Sequence, residues 1–251
     1  MEADALHLLR MGIRWDALMA LGKRRHLPLH TVDEGYLVHC FLAELWKQQS
    51  PRPFRVRQNE RKNRFAEVWA YSRRSHDVLA DDARLYADPQ ILDAVDWGNV
   101  HSKPMPSVPV GKTVGFELRA CPVVRNRRGD DGNKEREVDA WLARCHAVDG
   151  DEPVDREQVY REWLQKQIEQ RGGGAMLGAL RLVAFKRDRL LRREHGGERT
   201  SRQLERPGAH FEGTLTVQDS AAVMGLLSRG IGRHRAFGFG MLVLVPPRFA
   251  C

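Results

Sequence analysis

The apolar residues of this chain fall into two similar runs, and that repetition limits the fold more than any single motif does. In the first run, residues 5–13 alternate as a strand and residues 33–47 have helical spacing. Residues 54–58 and 65–71 alternate as two further strands around the charged turn 59–64, and a helix is predicted over 76–86. The proline-rich segment 88–111 lacks periodicity and reads as an irregular connection. The second run opens with a strand over 113–120, followed by helices over 134–146 and 154–170. Strands at 177–186 and 210–217, a helix at 219–228 and a last strand at 240–245 complete it. Each half thus reads strand, helix, strand, strand, helix, with a closing strand clear only in the second. That order is the ferredoxin-like split unit, shared with the RNA recognition motif. The predicted fold is α+β: two tandem ferredoxin-like domains, residues 1–105 and 106–251.

The chain has 41 Lys and Arg against 33 Asp and Glu, a formal charge of +8. A surface of that sign attracts polyanions, nucleic acid first and anionic membrane second. No apolar run approaches the roughly 18 residues of a membrane span, and the acidic start Met1-Glu2-Ala3-Asp4 does not resemble a signal peptide. The four cysteines, Cys40, Cys121, Cys145 and Cys251, are scattered without metal-ligand spacing. That spacing argues against a zinc site or a disulfide framework and for the cytoplasm.

Two segments concentrate glycine and positive charge. Residues 229–240 read RGIGRHRAFGFG and run straight into an apolar stretch. Gly230, Gly232, Gly238 and Gly240 are expected to leave backbone N–H groups bare for close approach of phosphate, with Arg233, His234 and Arg235 adding charge. The segment follows a helix and opens a strand, the reverse of a dinucleotide-binding loop, and it lacks the Gly-Lys-Ser/Thr ending of a triphosphate loop. Taken alone it is equally a glycine-rich connection. Between the middle strands of the second half stand Arg181, Lys186, Arg187, Arg189, Arg192, Arg193, Arg199, Arg202 and Arg206, nine basic residues against four acidic ones, with Gly196-Gly197 placed as a turn. They make either a solvated charged hairpin or a basic hairpin or helical finger laid along a nucleic-acid backbone.

Several stretches taken together resemble the CasE type of the Cas-six superfamily of CRISPR RNA endoribonucleases. They are the helix DEGYLVH ending at His39, the RPFRVR strand ending at Arg57, the KTVGFELRACP strand from Lys112, FEGTLTV from Phe211, and the final GIG…FGFG. They fall in the family's order and cover most of the chain. The segment 15–32, with Lys23, Arg24, Arg25 and His26, departs from the family pattern as an insertion, read here as a further RNA contact. The resemblance implies cleavage of CRISPR repeat RNA by its own 2′-hydroxyl, needing no metal or other cofactor, and a place among the subunits of a crRNA-guided complex.

Helix geometry singles out two residues. At about 100° per residue, Val38, Phe41, Leu42 and Leu45 define one apolar face, from whose centre His39 lies roughly 120° away and Tyr36 almost opposite. Their three-residue spacing makes them neighbours on the helix surface. The resemblance aligns them with the family's Tyr-x-x-His pair and so makes His39 a general acid or base, the choice being open. It leaves Tyr36 as a donor to the scissile phosphate, as a group that orients the 2′-hydroxyl, or simply as an exposed tyrosine. Lys23, Arg24, Arg25, Arg187, Arg189, Arg192, Arg193, Arg233, His234, Arg235 and the four glycines are the expected RNA contacts. The alternative is a non-catalytic crRNA-binding subunit of the same kind of complex.

Overall fold

The computed structural model describes residues 5–57, 64–126, 136–148, 152–169, 172–193 and 201–247. The first sheet is built on β1 (His7–Arg14), which pairs antiparallel with β3 (Phe65–Ser72) and β4 (His101–Pro104), while β2 (Phe54–Arg57) pairs with β3. Period-two alternation sets its two faces. Leu9, Met11 and Ile13 of β1 are buried with Ala66, Val68 and Ala70 of β3. Arg10 and Glu67 project from the other face, where they pair at 2.9 Å. The buried face is covered by α2 (Glu34–Trp46), through Val38, Phe41, Leu42 and Leu45, and by α3 (His76–Tyr86), through Leu79 and Ala83.

The second sheet repeats the plan. Here β5 (Thr113–Ala120) pairs antiparallel with β9 (Ser201–Val217) and β10 (Leu242–Val245), and β8 (Ala175–Arg193) pairs with β9. Counting each half's four sheet strands in chain order, both sheets run 4-1-3-2, so two ferredoxin-like units stand in tandem. Helices α6 (Arg156–Ile168) and α7 (Ser220–Arg229) close the second core through Tyr160, Trp163, Leu164, Val223 and Leu227. Asp33, Asp155 and Asp219 cap α2, α6 and α7 by accepting from the backbone N–H of Tyr36, Glu157 and Ala222. Between the units the Tyr71 hydroxyl donates to the Leu242 carbonyl at 2.8 Å and Arg55 pairs with Glu117 at 3.2 Å.

Three expectations need correction. The segment 88–111 is not irregular: it contains the short helix α4 (Pro89–Leu92) and the closing strand β4. Strand β4 is a largely exposed edge, His-Ser-Lys-Pro, so it has no apolar alternation to read, and its pairing with β1 decides its conformation. Residues 134–146 are not one helix. Arg136–Asp139 form β7, which pairs with β6 (Val123–Asn126), and the helix α5 is only Ala140–Cys145. Its cap Asp139 is buried, and its carboxylate is satisfied there by the Tyr160 hydroxyl, which donates at 2.9 and 3.0 Å. The middle strands of the second half are far longer than expected and pair antiparallel from Ala175↔Val217 to Arg193↔Ser201, with register shifts between Leu177 and Leu180 and between Leu182 and Ala184. The expected turn at Gly196-Gly197, and all of the expected turn 59–64 except Arg64, lie outside the described residues. The segment 15–32, expected as an insertion, holds the helix α1 (Trp15–Arg24), which packs on α2 with Leu18 and Leu21 buried.

Candidate active site and nucleic-acid interface

The glycine segment docks on the N-terminal end of α2. A Cβ on Gly35 would overlap the Phe237 carbonyl, so only glycine permits this approach. The close fit brings Tyr36 onto Phe237 in a stack, with centroids 5.2 Å apart and planes at 21°. The His39 ring lies one turn along, 6.1 Å from that of Tyr36, and both residues are half-buried. Burial pulls the His39 pKa below its ordinary 6.5, and the neighbouring Arg52 and Arg25 push it further down. The imidazole is therefore neutral at pH 7, in a cationic setting that favours an arriving phosphate. Arg52 is exposed, whereas Arg25 is anchored by Glu44 at 2.6 Å. Lys23 and Arg24 are exposed in the last turn of α1, and Arg24 donates to Gln90 at 3.3 Å.

Three of the four glycine amides are bonded within the chain, which corrects the expectation of bare amides at Gly230, Gly238 and Gly240. The Gly230 N–H donates to Leu226 and that of Gly238 to Arg235. The Gly240 N–H donates to the Arg119 carbonyl at 2.7 Å, and its own carbonyl accepts from Ile231 at 2.8 Å. Gly238 and Gly240 are buried, and a Cβ on Gly240 would overlap the Ile231 carbonyl. Gly230 and Gly232 are half-buried, and a Cβ on Gly232 would press on the Trp163 ring at 3.1 Å.

The charged residues of the segment are also tied down. Glu137, on β7, pairs with Arg233 at 2.6 Å, His234 at 2.8 Å and Arg206 at 3.3 Å. The hydrogen bond from His234, ahead of the nearby arginines, holds the Glu137 carboxyl down at about 2. Arg233 and Arg235 remain exposed, and Arg235 donates to the Arg229 carbonyl. On the long hairpin Arg187 and Arg189 are 60% and 67% exposed at the side chain and share Glu205 at 3.9 and 3.5 Å. The side chains of Arg192 and Arg193 lie outside the described residues, although their backbone is part of β8.

A cleft of about 610 Å³ opens beside Gly35, between the start of α2 and the two sheets, lined by Asp33 and Glu34 as well as Arg55, Arg57, Arg119, Lys186 and His210. Burial, then the surrounding cations, pulls His210 down to about 4. Among the described residues no three His, Cys, Asp or Glu converge as metal ligands. No described helix is long and apolar enough to cross a membrane. Sequence reasoning missed Glu137, Phe237 and Arg52 as parts of this site. Arg52 and Phe237 stand inside the RPFRVR and FGFG motifs, but Glu137 belongs to a charged run with no pattern to mark it.

Comparison with known proteins decides the lineage. The family described as CRISPR associated protein matches residues 6–246. The chain belongs to that family. Within it, the chain is 34% identical over 88 residues to the CRISPR-associated endoribonuclease Cse3 of Thermus thermophilus, covering 34% of this chain and 41% of that one. It is 26% identical over 137 residues to the CRISPR system Cascade subunit CasE of Escherichia coli, covering 55% and 60%. These alignments span less than two thirds of either relative's length. The structure of the CRISPR endoribonuclease Cse3 bound to a 19-nucleotide RNA superposes with a TM-score of 0.62 at 20% identity, covering 96% of this chain and 100% of that one. That likeness shows the shared fold, two ferredoxin-like units along the whole chain.

Proposed function

We propose that this family member is the endoribonuclease that cuts CRISPR precursor RNA within the repeat stem-loop and then keeps the mature crRNA as a subunit of a Cascade-type complex. The observation that carries the reading is the placement of Tyr36 and His39, side by side on α2 under the glycine segment, with Arg25 and Arg52 beside the imidazole. The relatives named as a Cse3 endoribonuclease and a Cascade subunit support both the chemistry and the assembly.

The reaction is a transesterification. The substrate's 2′-oxygen attacks the adjacent phosphorus, the bond to the 5′-oxygen breaks, and the products are a 2′,3′-cyclic phosphate and a 5′-hydroxyl. One proton leaves the 2′-hydroxyl and one reaches the departing oxygen, so a single imidazole suits either transfer. His39 does this work without a metal, and Tyr36 donates to the scissile phosphate. Arg25 and Arg52 offset the charge that builds on the phosphorane. The exposed Arg187 and Arg189 follow the stem's phosphates, because the narrow major groove of duplex RNA hides its bases. Residues 1–105 carry the acid–base helix and 106–251 the hairpin and glycine segment, and the protein works in the cytoplasm, where its transcript arises.

The test is incubation of purified protein with repeat RNA and with a stem-disrupted control in EDTA. A single cut in the intact repeat alone is expected. Binding without cutting would leave a crRNA-holding subunit, and activity abolished by EDTA would remove the metal-free route.

A further inference from the structure

A carboxylate of the second unit connects to the acid–base helix of the first through an unbroken line of side chains. Glu137 is only 16% exposed at its side chain and holds His234 Nε2 at 2.8 Å. His234 has φ +60°, a conformation that costs a non-glycine residue free energy unless its surroundings impose it. Its carbonyl accepts from the Phe237 N–H at 2.9 Å, and its ring meets that of Phe237 edge-on at 6.1 Å. The seat of His234 therefore fixes where Phe237 falls. Phe237 stacks on Tyr36 at 5.2 Å, and the Tyr36 ring lies 6.1 Å from His39.

We propose that Glu137 is a positioning residue for RNA cleavage: by holding His234 it seats Phe237 against Tyr36, and so sets Tyr36 and His39 against the scissile phosphate. This rests on the endoribonuclease reading above. The charge balance makes the role separable from binding. Glu137 neutralises part of a cluster formed with Arg206 and Arg233, so its removal makes the RNA-facing surface more cationic. Loss of positioning lowers the cleavage rate while the freed charge holds or raises affinity. A brace that served stability alone would lose both together.

The experiment measures single-turnover cleavage at saturating repeat RNA, the dissociation constant and a thermal melt for Glu137→Ala and Glu137→Gln. Glu137→Ala is expected to cut at least tenfold more slowly, with affinity unchanged within twofold or tighter. Glu137→Gln recovers part of the rate, because its amide oxygen still accepts from His234. His234→Ala is expected to slow cleavage comparably, and the double variant Glu137→Ala/His234→Ala should be no slower than the worse single one, since both act through one path. If Glu137→Ala does not fold, Glu137→Gln carries the same cycle. A rate within twofold of wild type, strictly multiplicative losses, or a parallel fall in affinity and melting temperature overturns the proposal. Wild-type protein that binds repeat RNA and never cuts it overturns the endoribonuclease reading itself, and this inference with it.

Discussion

Tyr36 of the first unit and Phe237 of the second stack with their ring centroids 5.2 Å apart, so the segment marked by glycines and the helix carrying His39 form one surface across the unit boundary. Such a pair contributes about 0.5–1.5 kcal/mol beyond its buried area. Its larger consequence is geometric, since it brings the Phe237 carbonyl so close to α2 that position 35 has no space for a side chain.

Gly35→Ala should therefore displace the segment. Forcing a methyl group into a filled contact typically costs about 1–3 kcal/mol, so the melting temperature falls while the protein still folds. Single-turnover cleavage should drop more than tenfold. A variant that melts and cleaves like wild type would show that the docking of Phe237 on α2 does not matter to the site.

His39→Ala should slow cleavage by about 100-fold or more, the scale expected for loss of a general acid or base. Affinity for repeat RNA should change little, because one half-buried imidazole makes few phosphate contacts. Cleavage near the wild-type rate under single-turnover conditions would remove His39 from the mechanism.

The charge setting of His39 is open to direct titration by NMR. The free protein should show its imidazole titrating below 6.5, with burial as the first cause and Arg52 the next. Arg52→Ala removes an exposed cation and should move that pKa upward. Bound RNA should raise it as well, since phosphate favours the imidazolium. A His39 pKa above 6.5 in the free protein would contradict the cationic setting.

Much of this arrangement is legible in the sequence, and the parts that are not share a cause. Strands such as β1 and β5 and helices α2 and α3 have buried faces that write a period of 2 or 3.6 into the sequence. Helical periodicity shows only that Tyr36 and His39 leave the apolar face of α2; the resemblance to the family's Tyr-x-x-His pair is what marks them out. Strand β4 and the paired strands β6 and β7 present edges and charge, so only tertiary pairing reveals them. Glu137 was invisible for the same reason, as its three partners come from β9 and from a loop nearly a hundred residues on. The glycines were read as leaving amides bare for a phosphate, whereas what approaches Gly230, Gly238 and Gly240 is the chain itself. Four positions of one segment cannot say whether the visitor is a phosphate or a helix.

The long hairpin should act in binding. Arg187→Ala combined with Arg189→Ala removes two exposed cations and should lower the slope of log affinity against log salt by about 2 units at most. Cleavage at saturating RNA should persist. An unchanged slope would mean that this arm faces a protein subunit or solvent.

His210 ties stability to pH. Its folded pKa is depressed to about 4, chiefly by burial and then by Arg119, Arg55 and Lys186, against 6.5 when unperturbed. The folded form thus binds fewer protons between these values. Its contribution is complete above pH 6.5 and is lost as the pH falls towards 4. Urea midpoints measured across that window should fall with pH in the wild type and less steeply in His210→Gln. Parallel curves would mean that His210 is not the group responsible.

The most direct test of the account is the chemistry of the cut ends. Repeat RNA from the CRISPR array of the same genome, incubated with stoichiometric protein in EDTA and analysed by mass spectrometry, should yield one upstream fragment ending in a 2′,3′-cyclic phosphate and one downstream fragment with a 5′-hydroxyl. Replacing the 2′-hydroxyl at the cut site with hydrogen should abolish cleavage while leaving binding intact. A 3′-hydroxyl paired with a 5′-phosphate, or cleavage of the 2′-deoxy substrate, would contradict attack by the substrate's own 2′-oxygen and the role assigned to His39.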